Sequence, residues 1–257
     1  MAGELVLIGI GPGRIDGWTV EARREAAACD HRFLEGYTAR LPEATRVALE
    51  QAVGAIESVM RPAVEQPDRL LGLARHARVG LLVVGDPLQA TTHVDLELRA
   101  AADGIPVRVV HGVSITTIAT GAIGLSNYRF GRSTTLTYPY GDWLPTSPLE
   151  VIEGNLRAGL HTLVLLDLDP TGAGTGEQSP MQPDVASSVL RRCMERLGRP
   201  VLEGRDLVLC TDMGTEDQVI LTTDLEGLAF AKPGGMHCLV IPADPTGLEA
   251  DALARWR

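Results

Sequence analysis

The strongest constraint on this chain is a rhythm of seven short apolar runs. They are "ELVLIGI" (4–10), "VGLLVVG" (79–85), "PVRVVHG" (106–112), "TTLTYP" (134–139), "HTLVLLDLD" (161–169), "DLVLCTD" (206–212) and "HCLVIPA" (237–243). Between several of them lie longer amphipathic stretches, at 19–29, 92–103, 148–158 and 184–197. Strand-length runs alternating with helix-length ones imply an α/β fold with at least partly parallel sheets. The pattern restarts after "HGVSITTIATGAIGLSNYRFGRS", so two sheets are expected, in domains 1–113 and 114–257. With 45 % hydrophobic residues among 257, both can bury a core. The stretch "DPTGAGTGEQSPMQPD" (169–184) has no periodicity and is expected to be a long loop, a candidate lid.

Several function classes are excluded early. A net charge of -10 argues against nucleic acid as a partner, because polyanion binders need excess Lys and Arg to displace counterions. No leader pattern or bilayer-length apolar run is present, so a cytoplasmic protein without membrane contact is expected. Cys29, Cys193, Cys210 and Cys238 lie far apart with no ligand spacing, which reads as buried free thiols and no metal site. Of the 23 basic residues only Lys232 is a lysine, a usage that commonly follows a GC-rich genome.

The stretch "ELVLIGIGPGRIDGWTVEA" looks like a phosphate cradle and fails as one. A dinucleotide fingerprint needs G-x-G-x-x-G, and the third glycine position is occupied by Arg14. Glu35 stands at the distance of a ribose-binding acid, but such spacing is cheap among 33 acidic residues. No G-K-[ST] follows either, so a Walker loop is excluded. What remains is a strand that ends in glycines, where the backbone can turn sharply and approach a ligand, or a plain strand-to-helix turn.

Longer blocks point to a family. "GIGPG", "FLEGYT" (33–38), "GDPLQATTH" (85–93), "HGVSI" (111–115), "YRFGRSTTLTYPYGDWLPTSPLEVIEGN" (128–155) and "GLHTLVLLDLD" (159–169) together resemble the diphthine synthases, within the tetrapyrrole methylase-like S-adenosylmethionine methyltransferases. The resemblance covers nearly the whole chain and is weaker from about 170 to 205. It implies two α/β domains, each a mixed sheet flanked by helices, with the methyl donor in the inter-domain cleft, usually in a homodimer. S-adenosyl-L-methionine is then the cofactor and S-adenosyl-L-homocysteine the product.

Carried over by position, the resemblance places donor contacts at Pro12, Asp86, Gln89, Ser114, Ile115, Leu166, Met213 and His237. Each also has an ordinary reading: Asp86 as a turn former, Ser114 as a helix cap, Leu166 as core, His237 as a satisfied structural histidine. Methyl transfer to a carboxylate needs alignment and not a general base, because the nucleophile is already ionised at neutral pH. For gripping an acceptor carboxylate the candidates are Arg129 and Arg132, with Thr91, Thr92, His93 and Tyr37. Their ordinary readings are solvated arginines and, for Thr92, a helix cap.

The acceptor has two readings. The arginine-rich composition, Tyr140 in "YPYG" and the turn "CTDMG" favour a bacterial carboxyl methyltransferase. Such an enzyme would esterify a small malate-type acid, the ester activating it for β-lactone closure. The alternative is methylation of the modified histidine on translation elongation factor 2. A non-catalytic cofactor-binding protein is a third possibility, eliminated by turnover.

Overall fold

The first apolar run becomes β1 (Glu4–Gly9) in the computed structural model, which describes residues 3–175 and 178–257. It is followed by α1 (Val20–Ala27), β2 (His31–Glu35), α2 (Glu43–Val53), β3 (Glu57–Val59), α3 (Arg61–Glu65) and α4 (Asp68–Ala74). Then come β4 (Arg78–Val83), α5 (Val94–Ala102) and β5 (Val107–Val110). The strands form one sheet in the order β3-β2-β4-β1-β5, every pair parallel. A parallel sheet is covered on both faces, and the alternation along β1 shows it. Leu5 and Leu7 pack into one core with Val79, Leu81 and Leu96, while Val6, Ile8 and Ile10 pack into another with Ala22, Leu49 and Leu82.

After β5 come α6 (Ile115–Ala122), β6 (Thr134–Leu136), α7 (Ser147–Arg157), β7 (Thr162–Leu166) and α8 (Pro183–Leu197). They lead to β8 (Leu207–Thr211), β9 (Val219–Thr223), α9 (Leu225–Phe230), β10 (His237–Ile241) and α10 (Leu248–Ala254). This second sheet runs β6-β7-β10-β8-β9 and is mixed: β6 and β7 are parallel and the other pairs antiparallel. Alternate residues Leu207, Leu209, Leu239 and Ile241 pack with Val164, Val189, Leu190 and Leu228 into a core beneath the helices. The two-sheet α/β architecture is therefore present, with the mixing of strand directions confined to the second sheet.

Contacts divide the chain into the compact units Met1–Ile115 and Thr116–Arg257. Among its described residues the glycine-rich loop carries no regular element between 167 and 182, and its two ends are tied together: Ser179 N–H donates to Leu168 O at 2.7 Å and Met181 N–H to Asp167 O at 2.8 Å. Gly176 and Glu177, within the candidate lid, lie outside the described residues. All four cysteines are free and buried, and no described helix is long and apolar enough to cross a membrane.

Candidate functional site

In the first unit the chain steps from β1 to β2 over β4, and from β4 to β5 over β1, in opposite directions. The carboxyl ends of β1 and β4 are therefore the topological switch point, where open α/β sheets bind ligands. Three loops meet there by backbone. Gly11 and Gly85 form an antiparallel bridge, Gly11 N–H donating to Gly85 O at 3.1 Å and Gly85 N–H to Gly11 O at 2.7 Å. A Cβ on Gly112 would lie 2.2 Å from Gly85 O, and one on Gly9 would lie 2.5 Å from Gly112 N. Only glycine fits at these two positions, because the neighbours are main-chain atoms that cannot step aside.

Asp86 locks this cluster. Its Oδ1 accepts from Leu88 N–H at 2.9 Å, and its Oδ2 accepts from His111 Nδ1 at 2.8 Å and from Gly112 N–H at 3.2 Å. One buried carboxylate thus joins the loop after β4 to the loop after β5, so it acts on the loops' shape as well as being a turn former. Pro12 is half-buried beside Gly11, Ser114 is buried at the foot of α6, and Ile115 begins that helix. Gln89 is exposed, and the next residue, Ala90, is held at φ 55°, a conformation that costs a non-glycine residue energy and recurs at ligand sites.

Tyr37 and His93 form a separate buried pair. The Tyr37 hydroxyl lies 3.3 Å from His93 Nε2, while His93 Nδ1 donates to Pro87 O at 2.9 Å. Burial, reinforced by the Glu35 carboxylate, pushes the Tyr37 phenol well above its ordinary range. Both ring nitrogens of His93 are engaged, so this pair supports the 85–93 loop and neither residue is presented as an acceptor contact. Glu35 is equally occupied, accepting from Tyr37 N–H, from Thr38 N–H and from the Thr38 hydroxyl. Thr91 is half-buried and Thr92 exposed; Thr92 offers its carbonyl, not its hydroxyl, to Asp95 N–H at 2.9 Å, and His93 is the residue that precedes α5.

In the second unit, three expected or neighbouring residues fall in one row across adjacent strands. His237 pairs with Thr211 across β10 and β8, and the register that sets Cys238 against Leu165 brings Leu166 alongside His237 from β7. All three are buried, as is Met213 just beyond β8. His237 Nδ1 lies 2.9 Å from Thr211 Oγ1, whereas His237 Nε2 is buried and has no hydrogen-bond partner among the described residues. Burial holds this imidazole below its ordinary pKa, against the opposing pull of the nearby Asp212 carboxylate. Asp212, at φ 44°, clamps the start of β10: its N–H donates to Met236 O, and its Oδ1 accepts from Met236 N–H, both at 2.9 Å. Sequence reasoning passed over Thr211 and Asp212, whose only signal was their place at the end of an apolar run.

The arginine expectation needs correcting for Arg129. Its guanidinium is bound to Glu249 and to the carbonyls of Gly159 and Ala243, at 3.2 and 2.7 Å, so its fork is engaged inside the second unit. Arg132 is exposed, and among the described residues only its backbone is fixed, by Asn155. Among the described residues no group of three His, Cys, Asp or Glu side chains is arranged to hold a metal.

Comparison with known proteins agrees with this architecture. Residues 4–229 match the family described as Tetrapyrrole (Corrin/Porphyrin) Methylases. The diphthine synthase of Halorubrum lacusprofundi is 39 % identical, covering 97 % of this chain and 95 % of that protein. That of Methanosphaerula palustris is 35 % identical over 97 % of this chain and 96 % of its own length. Among solved structures, a candidate diphthine synthase from Entamoeba histolytica superposes with a TM-score of 0.88 at 31 % identity, covering 99 % of this chain and 98 % of that one. A protein from Aeropyrum pernix gives 0.85 at 33 % identity, covering 99 % and 89 %. The chain belongs to the tetrapyrrole methylase family, in its diphthine synthase-like branch, and is a methyltransferase whose donor is S-adenosylmethionine.

Proposed function

We propose that this enzyme transfers the methyl group to a carboxylate of the modified histidine on translation elongation factor 2. The observation that carries the reading is the 39 % identity to the Halorubrum lacusprofundi diphthine synthase across 97 % of the chain. The small malate-type acid favoured by composition has no comparable support. A preference for Arg over Lys follows nucleotide composition and is silent about the acceptor.

The chain's own residues suit the donor. The glycines at Gly9, Gly85 and Gly112 let three loop backbones pack together at the strand ends, and among the described residues the buried His237 Nε2 lacks a partner. In this reading Pro12, Asp86, Gln89, Ser114 and Ile115 of the first unit and Leu166, Met213 and His237 of the second hold or shape the donor's surroundings. When bound, S-adenosylmethionine supplies a methyl carbon made electrophilic by its sulfonium sulfur. The protein's tasks are then to align that carbon with a carboxylate oxygen and to keep water from solvating the nucleophile. No base is required, because a free carboxylic acid titrates near ~4. His93, with both nitrogens engaged, and His237, depressed by burial, fit that absence. Arg132, Thr91 and Thr92 remain the acceptor-side candidates.

The test supplies labelled donor with elongation factor 2 carrying the unmethylated precursor, and in parallel with a panel of hydroxy-dicarboxylic acids. Label and a methyl mass increment on the elongation factor are expected. Label on a small acid alone overturns this acceptor in favour of the small-acid reading, and donor binding without turnover on either would mark a non-catalytic binder.

A further inference from the structure

His237 is more than 90 % buried, and among the described residues one of its two ring nitrogens, Nε2, has no partner. A buried polar atom left unpaired is costly, so its character, donor or acceptor, is worth deciding. The neighbour decides it. Thr211 and His237 are directly paired across antiparallel strands, which places their side chains side by side on one face of the sheet. Thr211 is also buried, and among the described residues its hydroxyl meets a single hydrogen-bond partner, His237 Nδ1 at 2.9 Å. A threonine hydroxyl has one proton to place. If Nδ1 carried a proton it would donate to Oγ1, and the threonine proton would be stranded in the interior. With Nδ1 bare, the hydroxyl donates to it and no proton is orphaned on that side.

We infer that Thr211 is a positioning residue: by donating to Nδ1 it fixes His237 as the Nε2–H tautomer and presents Nε2–H as a hydrogen-bond donor to an acceptor atom of the bound S-adenosylmethionine or S-adenosylhomocysteine. This rests on the proposed donor role of His237. The β-branched side chain of Thr211 has few rotamers, so its hydroxyl is held at the ring and not shared with other sites. Asp212, the charged group beside the ring, has its Oδ1 accepting from Met236 N–H. The clamp on Met236 keeps the start of β10 in register with Thr211, and a Cβ on Gly235 would lie 1.9 Å from Asp212 Oδ2. His237 therefore acts by donating a hydrogen bond, and not by taking a proton from the acceptor.

The experiment combines two readouts on the full chain. Nitrogen-15 spectra of the imidazoles, with His237 assigned through His237→Gln, report the tautomer without ligand. Calorimetric titration with S-adenosylhomocysteine reports affinity. The wild type is expected to show a protonated Nε2 and a bare Nδ1 at neutral pH. Thr211→Val should mix the tautomers and weaken S-adenosylhomocysteine in proportion to the fraction no longer held as Nε2–H, about twofold for an even mixture. Thr211→Ser restores the hydroxyl and should return both readouts toward wild type, which separates lost positioning from a disturbed strand. A protonated Nδ1 in the wild type, or unchanged affinity in Thr211→Val, overturns the inference. Wild type that does not bind S-adenosylhomocysteine at all overturns instead the donor reading beneath it, while the spectra still judge the tautomer.

Discussion

At the scale of single residues, the first unit's loop cluster depends on one carboxylate and on missing side chains. Asp86→Asn keeps the shape but removes the anion that His111 Nδ1 and two backbone amides share. Losing charge-assisted hydrogen bonds of this kind should destabilise the protein by about 1.5–3 kcal/mol and weaken S-adenosylhomocysteine, as read by urea melts and calorimetry. Gly112→Ala is expected to be worse, about 3 kcal/mol or more, because its methyl group would meet Gly85 O and the Gly9 main chain. A soluble Gly112→Ala with an unchanged melting curve would remove the idea that backbone packing shapes this cluster. The sequence made the position of these residues readable, since Gly9, Gly85 and Gly112 each sit at or just beyond the end of an apolar run. Their mutual contact was not readable, because β1, β4 and β5 are brought together by sheet order, which no local pattern records. Asp86 illustrates the same limit: its residue type suits a ligand contact, a turn or a tie between loops, and only the placement of His111 and Gly112 shows the last.

Elements are held by a different device in the second unit, where a buried polar network anchors α10. Glu249, in its first turn, accepts from Ser126 N–H at 2.9 Å and from His161 Nε2 at 3.2 Å and pairs with Arg129. His161 Nδ1 in turn accepts from Ala243 N–H at 2.9 Å, which requires a neutral ring. Burial keeps the His161 pKa below its ordinary value, outweighing the favourable Glu249 carboxylate. The unfolded chain therefore binds a proton that the folded chain refuses, so this contribution is complete above about pH 6.5 and is lost progressively as pH falls below it. His237, also depressed by burial, adds with the same sign. Stability from denaturant melts should drop between pH 7.5 and 5.5, and the slope should be shallower in His161→Gln; an unaltered slope would clear His161 of the effect. This network explains why Arg129 misleads a reader of the sequence. An arginine beside a strand is equally suited to an incoming carboxylate and to a resident one, and the resident one lies 120 positions away. Several helices were legible: the stretches read at 19–29, 92–103, 148–158 and 184–197 correspond to α1, α5, α7 and α8, whereas α2, with the 11 residues that α7 also has, was not picked out. Strands β2, β3 and β9 were not, because β3 is three residues long and β2 and β9 begin on exposed residues and lack a continuous apolar run.

For the whole molecule, the proposed function assigns donor residues to both compact units, Met1–Ile115 and Thr116–Arg257. A ligand that binds only the folded protein stabilises whatever must be folded to bind it, by about 2.7 kcal/mol at a hundredfold excess over its dissociation constant. If Pro12, Asp86 and Ser114 on one side and Leu166, Met213 and His237 on the other touch the same molecule, neither unit can unfold without releasing it. Calorimetric scans with S-adenosylhomocysteine should then move every unfolding transition upward together, even where the ligand-free protein melts in two steps. His237→Ala, a change confined to the second unit, should reduce the shift of the first unit as well. A shift confined to the first unit, unaffected by His237→Ala, would assign binding to the glycine cluster alone and remove the second unit's residues from the donor site. The scan discriminates because sequence and fold make the first unit, with its parallel sheet and switch point, look sufficient by itself for a nucleotide-like ligand. Coupled melting is the behaviour that such a self-sufficient unit could not produce.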